Sequence, residues 1–460
     1  MANEIYHRSN WGNAVNDIAW GDVYEKFDAT NEMFVRSDNY ENSNETDKLM
    51  AAINPKPSIL LTPTAYDNGS LHSVKPVLTP FADFDFTRGT IATRVNEQGL
   101  IEDVTDTNLP RIDYTDGSGS LLLEPQSTNL LTYSQDFSQS VWRKRTSDST
   151  QVPVITNNYA ISPDGTQNAT RVVITPPTLN TDYAVVDNFT SITKNVGDKF
   201  TSSIYIKANG VSQIGKEVNL YQYEDGYSTV LTHSLTDNWI RLELTDTMGL
   251  STGNMETLTI GKARSSVGGS SLSDMATDFL IAFAQFEKQS FATSYIPTSG
   301  STVTRNQDVC NNSGSSDLIN STEGVLYAEI AALADDQTRR DISISDGTNT
   351  NTIRFHYHTV LNEIRFQVRS SGAARTSQAF SVTDIKDFHK VALSYKLDNV
   401  RMFIDGVKVG TDTIADPMPT GLNELSFYQG AASLNFFGNV KSVAVYKEAL
   451  TDAQLTALTT

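Results

Sequence analysis

The chain has 460 residues, more than one hydrophobic core supports, so two to four domains are expected. Its formal charge of −19 is spread along the chain and would repel a phosphate backbone, which disfavours nucleic-acid binding. The single cysteine excludes an intrachain disulfide framework, and no apolar run approaches the roughly 20 residues that span a bilayer.

Residues 1–80 read as a small mixed segment. "YHRSNWGN" and "IAWGDVYEKFDATNE" carry Tyr6, Trp11, Trp20 and Tyr24. Leu49, Met50 and Ile53 fit one helical face that Pro55 and Pro57 end. So short a piece buries little on its own and is expected to attach to something else. Its start lacks a basic and then apolar stretch, so no secretory signal is expected.

Residues 81–125 are patterned, yet interrupted by Gly, Asn, Asp and Pro. Short β-pieces with Arg88, Arg94 and Arg111 amid Asp103, Asp106, Asp113 and Glu124 predict a connector, a collar that wraps a domain or a neighbouring subunit. "DGSGS", Asp116 to Ser120, precedes a strand rather than a helix and reads as a turn, not a phosphate loop.

Residues 126–298 are all-β. In "FTSSIYIKA", Phe200, Ser202, Ile204 and Ile206 share one strand face. Such strands, separated by Gly, Asn and Asp, predict a sandwich. Residues 299–322 read as a polar linker with Cys310 as a solvent-facing thiol. A second β-run, 323–460, alternates cleanly at Val391, Leu393 and Tyr395 and again at Val400, Met402 and Ile404. Asp405-Gly406 is a two-residue hairpin signal, and Thr451 with Gln454 starts a capping box for a closing helical turn or two. The predicted fold is mainly β: two tandem β-sandwich jelly rolls behind a small N-terminal mixed attachment segment.

The chemistry is sparse. His356 and His358 lie two apart on a strand, but no third zinc ligand accompanies them, so they are expected as half-exposed strand histidines. His389 is expected to pack. Glu102, Asp103 and Asp106 fit neither one strand face nor a glycosidase pair, and no Glu-x-Asp-x-Glu pattern occurs, so no enzymatic activity is expected. Asp335, Asp336 and Asp346 lie in polar loops where calcium is possible; no other cofactor is expected.

Sugar binding needs exposed aromatic faces with polar groups that orient hydroxyls. Tyr221, Tyr223 and Tyr227, beside Glu224 and Asp225, are one candidate set, and Tyr221 and Tyr223 share a face. Tyr357, Arg369, Arg375, Tyr428 and Asn435 are a second. Trp142 and Trp239 are assigned to the core.

"RGTIATRVNEQGLIEDVTDTNLPRIDYTDGSGSLLLEPQSTNLLTYSQDFSQSVW", with its "LPRIDY" and "LLLEPQSTNLL", resembles a signature of bacteriophage virion proteins. In these it leads into a carbohydrate-binding-module-like jelly roll that closes on a phrase similar to "AQFEKQSFATSYIPTSGSTVTRNQD". "FHKVALSYKLDNVRMFIDGVKVGT" with "FFGNVKSVAVYKEALTDAQLTAL" resembles a laminin-G-like, concanavalin-type jelly roll. The opening "YHRSNWGN…WGDVY" is similar to N-terminal segments of virion proteins from phages of Bacteroidetes-type hosts. The resemblance implies a virion structural protein, a fibre or appendage, anchored through Tyr6, Trp11, Trp20 and Tyr24. It would display its jelly rolls to host-surface glycans and assemble as a homo-oligomer, a trimer by the habit of phage fibres. Alternatives are a purely architectural decoration protein and, further off, a polysaccharide depolymerase.

Overall fold

The structure, a computed structural model, describes residues 57–62, 84–147, 152–175, 183–224, 227–249, 252–263, 276–413, 417–431 and 433–460, together with five short strands before residue 84. The expected attachment residues Tyr6, Trp11, Trp20 and Tyr24, and the helix around Leu49, lie outside the described residues. The chain is mainly β and falls into two compact units: Thr90–Thr105 with Gln126–Asn306, and Met1–Gly89 with Asp106–Pro125 and Gln307–Thr460. No described helix is long and apolar enough to cross a membrane.

The middle unit is a sandwich of two five-stranded antiparallel sheets. One runs Trp142–Thr146, Ala184–Thr193, Thr252–Lys262, Glu217–Glu224, Tyr227–Ser234; the other runs Val154–Ala160, Ala169–Ile174, Thr277–Glu287, Lys199–Ala208, Ile240–Thr247. Phe200, Ile204 and Ile206 go inward as their alternation predicts and meet Val186, Leu220, Leu258 and Phe286. Trp142 is buried among them and donates its indole N–H to the Tyr133 carbonyl at 2.8 Å. Trp239 departs from its core assignment. It is half-buried beside Tyr205 and Phe283, and its indole N–H reaches the Ile161 carbonyl at 3.2 Å.

The C-terminal unit packs an eight-stranded sheet on a five-stranded one. The larger is built around Gly438–Tyr446, Glu323–Ala332, His389–Lys396, Val400–Ile404 and Val407–Asp412. The smaller runs Ala373–Ser381, Glu363–Ser370, Thr352–Tyr357, Arg340–Ser345, Glu424–Ser426. Val391, Leu393, Tyr395, Val400, Met402 and Ile404 all enter the core between them. Ile404 pairs with Val407, and Asp405 and Gly406 take φ of 48° and 77°. Positive φ at both central residues is the turn that matches strand twist. The helix Asp452–Thr459, with its Thr451/Gln454 capping box, buries Leu455 and Leu458 on the outer side of the larger sheet against Tyr327 and Phe403.

The expected collar divides between the units. Arg111–Asp113 and Ser120–Leu123 form a hairpin that joins the edge of the eight-stranded sheet against Gly438–Tyr446. The hairpin Ala92–Val95/Ile101–Val104 belongs to the middle unit, where Thr93 donates to the Tyr295 carbonyl at 2.6 Å. Residues 299–322 are more than a tether. Val303–Arg305 pairs with Ser127–Asn129 in the middle unit, and Val309–Asn311 pairs with Asp85–Thr87 in the C-terminal one. Cys310 is therefore buried in the core beside Ile319 and Phe427, not exposed, because its strand alternates it inward.

Candidate functional site

The candidate groups gather on two polar sheet faces, one in each unit, each backed by core. In the middle unit this is the outer face of the sheet containing Trp142–Thr146. "WRKRT" puts Arg143 and Arg145 two apart, hence on one side, and register sets Arg143 opposite Asp187 and Arg145 opposite Val185. Asp187 lies opposite Thr259, which lies opposite Tyr221. A bulge at Thr257 inserts one residue into Thr252–Lys262, so Phe189 and Tyr223 both pair with Glu256. Without it Glu256 would share the inward parity of Leu258 and Ile260; the bulge turns it out and sends Met255 in.

The result is a fixed lattice. Arg143 Nε donates to Asp187 at 2.9 Å and Arg145 Nε at 2.6 Å, while Arg145 also reaches Glu256. Burial pushes the Glu256 carboxyl up; Arg145 and Arg143 oppose it and Asp187 adds to it. Two guanidiniums balance two carboxylates, leaving the lattice near neutrality. Aromatic rings flank it: the Arg143 guanidinium stacks over Phe189 at 4.1 Å, and Arg145 lies 5.7 Å from the Tyr183 ring. Phe189 is 41% exposed.

Of the first tyrosine set, Tyr221 and Tyr223 do share this face, packed with Val185, Tyr183 and Val230. Tyr221 is only 5% exposed and cannot serve as a stacking platform; half-buried Tyr223 keeps surface on that side. The side chain of Tyr227 lies outside the described residues. Sequence reasoning missed Arg143, Arg145, Asp187 and Phe189, although the period-two pairs in "WRKRT" and "AVVDNFT" carry the signal.

The C-terminal unit presents the outer face of its five-stranded sheet. Three cross-strand rows occupy it: Asp341, His356, Arg365; then Ser426, Ser343, Arg354, Gln367, Ser377; then Glu424, Ser345, Thr352, Arg369. Arg339 clamps Asp341 with two hydrogen bonds of 2.7 and 2.8 Å. Arg354, 1% exposed, meets Asn349 Oδ1 at 2.7 Å and Gln367 Oε1, and approaches Asp341 only to 3.5 Å. Burial lowers the Arg354 pKa to about 10; Asp341 opposes this, and the guanidiniums of Arg339 and Arg369 add to it. Arg369 donates to the carbonyls of Asn349 and Gly372.

Three members of the second candidate set border this face. Arg369 lies on it, Tyr428 accepts the Ser343 hydroxyl through its carbonyl and donates its own hydroxyl to Glu424 at 2.6 Å, and Asn435 bridges to Asp341. Arg375 reaches the Ser370 carbonyl at 3.4 Å. Tyr357 corrects the expectation: at 1% exposure it points into the core with Ile353 and Phe355, its ring 5.7 Å from Phe436. His356, expected half-exposed, is 2% exposed, and burial with the nearby arginines drives its pKa far down, so it stays neutral. His358 is less buried and pairs with Glu363 at 3.1 Å.

The calcium candidates have protein partners. Asp346 accepts from Thr348 N and Oγ1 and from Asn351 Nδ2 at 2.6 to 3.0 Å, an Asx turn that closes its loop. Asp335 accepts the Asn362 N–H at 2.8 Å, and Asp336 pairs with Arg340 at 2.8 Å. Among the described residues no group of three His, Cys, Asp or Glu side chains is placed to hold a metal. A separate cleft of about 240 Å³ in the middle unit, lined by Ile91, Thr93, Tyr295, Pro297 and Val303 among others, coincides with neither face.

Residues 319–456 match the family described as the Concanavalin A-like lectin/glucanases superfamily, in its laminin G type. No curated protein matches the chain. Solved structures similar to it include the CBM40 of a Ruminococcus gnavus sialidase bound to α2,3-sialyllactose, at 14% identity, 33% of this chain, 94% of that one and a TM-score of 0.27. Domain 4 of AbnA, a GH43 extracellular arabinanase from Geobacillus stearothermophilus in complex with arabinotriose, is another, at 13% identity, 34% and 73% coverage and 0.27. A third is the binding domain of botulinum neurotoxin serotype D, at 11% identity, 32% and 39% coverage and 0.26.

Proposed function

We propose that the protein is a non-catalytic glycan-binding protein of a bacteriophage particle, attached through its N-terminal segment and binding host-surface sugars with its β-sandwich units. The observation that carries the binding role is the outer face of the middle unit, where exposed Phe189 and half-buried Tyr223 stand beside a pre-bonded Arg143–Asp187–Arg145–Glu256 lattice. Apolar ring faces stack on a pyranose, and fixed donors and acceptors select its hydroxyls without further side-chain ordering. The match of residues 319–456 to a superfamily whose description names lectins supports a sugar-binding reading of the second unit. The virion role rests on the resemblance of "LPRIDY" and "LLLEPQSTNLL" to phage virion proteins. Several copies on one particle would strengthen weak single contacts through effective concentration.

The test is a glycan array and a pull-down on intact host cells with the full chain, its Phe189→Ala variant and its Tyr223→Ala variant. Saturable binding that each variant weakens by about three- to tenfold, the range of one aromatic contact, supports the reading. Binding by neither array nor cells moves the assignment to an architectural decoration protein. Release of new reducing ends from host polysaccharide moves it to a depolymerase.

A further inference from the structure

We propose that the outer face of the five-stranded sheet in the C-terminal unit, centred on Arg354, His356, Arg365 and Arg369, is a second glycan site that takes an anionic sugar through its carboxylate or sulfate oxygens. The inference rests on the glycan-binding reading above and adds a ligand class for a different face.

The charge arrangement points to it. Four arginines, Arg339, Arg354, Arg365 and Arg369, serve this face; among the described residues Arg339 hydrogen-bonds a carboxylate, that of Asp341, and Arg354 Nε lies 3.5 Å from the same group. Arg354 is held by neutral oxygens, Asn349 Oδ1, Gln367 Oε1 and, with its amide oxygen turned inward, Gln429 at 3.0 Å. Among the described residues Arg365 reaches the Ser377 hydroxyl at 3.3 Å, and Arg369 reaches backbone carbonyls. Amide and hydroxyl oxygens satisfy N–H donors without cancelling the charge. The other carboxylates of the face are engaged at its ends: Glu363 by His358, Glu424 by Tyr428 and Ser426.

The site is built rather than a solvated patch. Arg354 and His356 are almost wholly buried, and Arg354 Nε, His356 Nδ1, Thr352 Oγ1 and Arg365 Nε are buried without a hydrogen-bond partner among the described residues. His356 Nδ1 lies 3.6 Å from Asp341, outside bonding range. Burying donors without a hydrogen bond is costly, and four guanidiniums share one bonded carboxylate here, so an anion held by the half-buried Arg365 and Arg369 would balance charge that Asp341 leaves over. In a chain of formal charge −19, such a cluster also opposes the overall field, so it selects acidic sugars locally rather than gathering polyanions over the whole surface. Burial is the main cause of the lowered Arg354 pKa, and the neighbouring Arg339 and Arg369 add to it.

The experiment titrates the full chain with three fluorescent oligosaccharides of matched length: an oligogalacturonate, a sulfated galactan and a neutral galactan. Variants are Arg365→Gln and Arg369→Gln, both half-buried at the rim and checked for native folding by circular dichroism, with Phe189→Ala as the control for the other face. The expected result is preferential binding of the uronate, the sulfated oligomer or both, weakened on the order of tenfold by each arginine variant and by raised salt, and weakened less by Phe189→Ala than by either arginine variant. Whichever anionic oligomer binds identifies the anion. Two results overturn the proposal: equal affinity for all three oligomers, or full retention of acidic-sugar binding in both arginine variants. Loss of neutral-sugar binding in Phe189→Ala reports on the middle unit alone, so the two readings fail separately.

Discussion

Arg111 and Asp308, 197 positions apart in sequence, meet as a completely buried ion pair in the C-terminal unit. Arg111 also holds Glu124 at 2.7 Å, and Arg88 approaches Asp308 at 3.3 Å while donating to the carbonyls of Leu109 and Asp106. Burial opposes the Arg111 charge, but Asp308 and Glu124 outweigh it and raise its pKa, so the charge is permanent. Arg88 and Arg111 thus fasten residues 85–89 and 106–125 to the strand Val309–Asn311 and the eight-stranded sheet, whereas Arg94 pairs with Glu102 inside its own hairpin of the middle unit. Replacing Arg111 by Met should lower stability by about 3–5 kcal/mol, because two buried carboxylates lose the charge that both of them face. Adding Glu124→Gln should recover part of the loss, since Arg88 and Asp308 then remain as a balanced pair. Urea denaturation of the two variants decides it; a double variant less stable than the single one refutes the network.

Gly324 makes a second, purely steric prediction. A Cβ built there meets the Tyr446 carbonyl, and the Tyr395 hydroxyl at 2.6 Å. Both contacts lie across the pairing of Glu323–Ala332 with its two neighbouring strands, where backbone has no room to retreat. Gly324→Ala should cost about 1–3 kcal/mol, more than the alanine would gain in an open strand. A melting temperature equal to that of the wild type would show that the start of this strand shifts freely.

Much of this fold is legible in the sequence where one signal acts alone. Val391, Leu393 and Tyr395 alternate against polar neighbours, Asp405-Gly406 specifies its turn, and Thr451 with Gln454 caps its helix. Tyr357 was equally legible, because it continues the Ile353, Phe355 series that enters the core. What local pattern could not supply is pairing over distance and shifted parity. Nothing in "RNQDVCNNSGSS" announces that Cys310 pairs with Phe86, and only the bulge at Thr257 turns Glu256 toward Arg145. The two candidate faces are made of residues that are two apart on strands brought together by such pairings. Single tyrosines do not define them: Tyr223 and Tyr428 lie at these faces, whereas Tyr357 enters the core.

His389 supplies a pH dependence. Its Nδ1 faces Asp405 at 2.6 Å and its Nε2 faces the Asp384 carbonyl at 3.0 Å, two acceptors that only the doubly protonated ring satisfies. The Asp405 hydrogen bond accordingly raises the His389 pKa against the effect of burial. A histidine raised in the folded state contributes stability that is fully present below its unfolded pKa of about 6.5 and is lost as pH rises through the folded value. Asp405 is about half-exposed, which holds the contribution below about 1 kcal/mol. The difference in melting temperature between wild type and His389→Gln should therefore shrink from pH 6 to pH 8; a difference that stays constant would mean the ring is neutral throughout.

Cys310 lies in the strand Val309–Asn311, whose pairing with Asp85–Thr87 ties the start of the collar to the core. Burial raises its thiol pKa well above the usual value, and Asp308 and Asp85 add to the effect. Both access and thiolate fraction are then low, and thiol reagents need both. The native chain should react with a disulfide reagent at less than about a tenth of the rate of the urea-unfolded chain, and the residual rate should report opening of this strand pair. Arg111→Met offers the internal check, since loosening the ion-pair network beside Asp308 should speed labelling of Cys310 more than it speeds global unfolding. Equal acceleration of the two would mean that the strand opens only when the whole unit does, and fast labelling of the wild type would place the thiol outside the core.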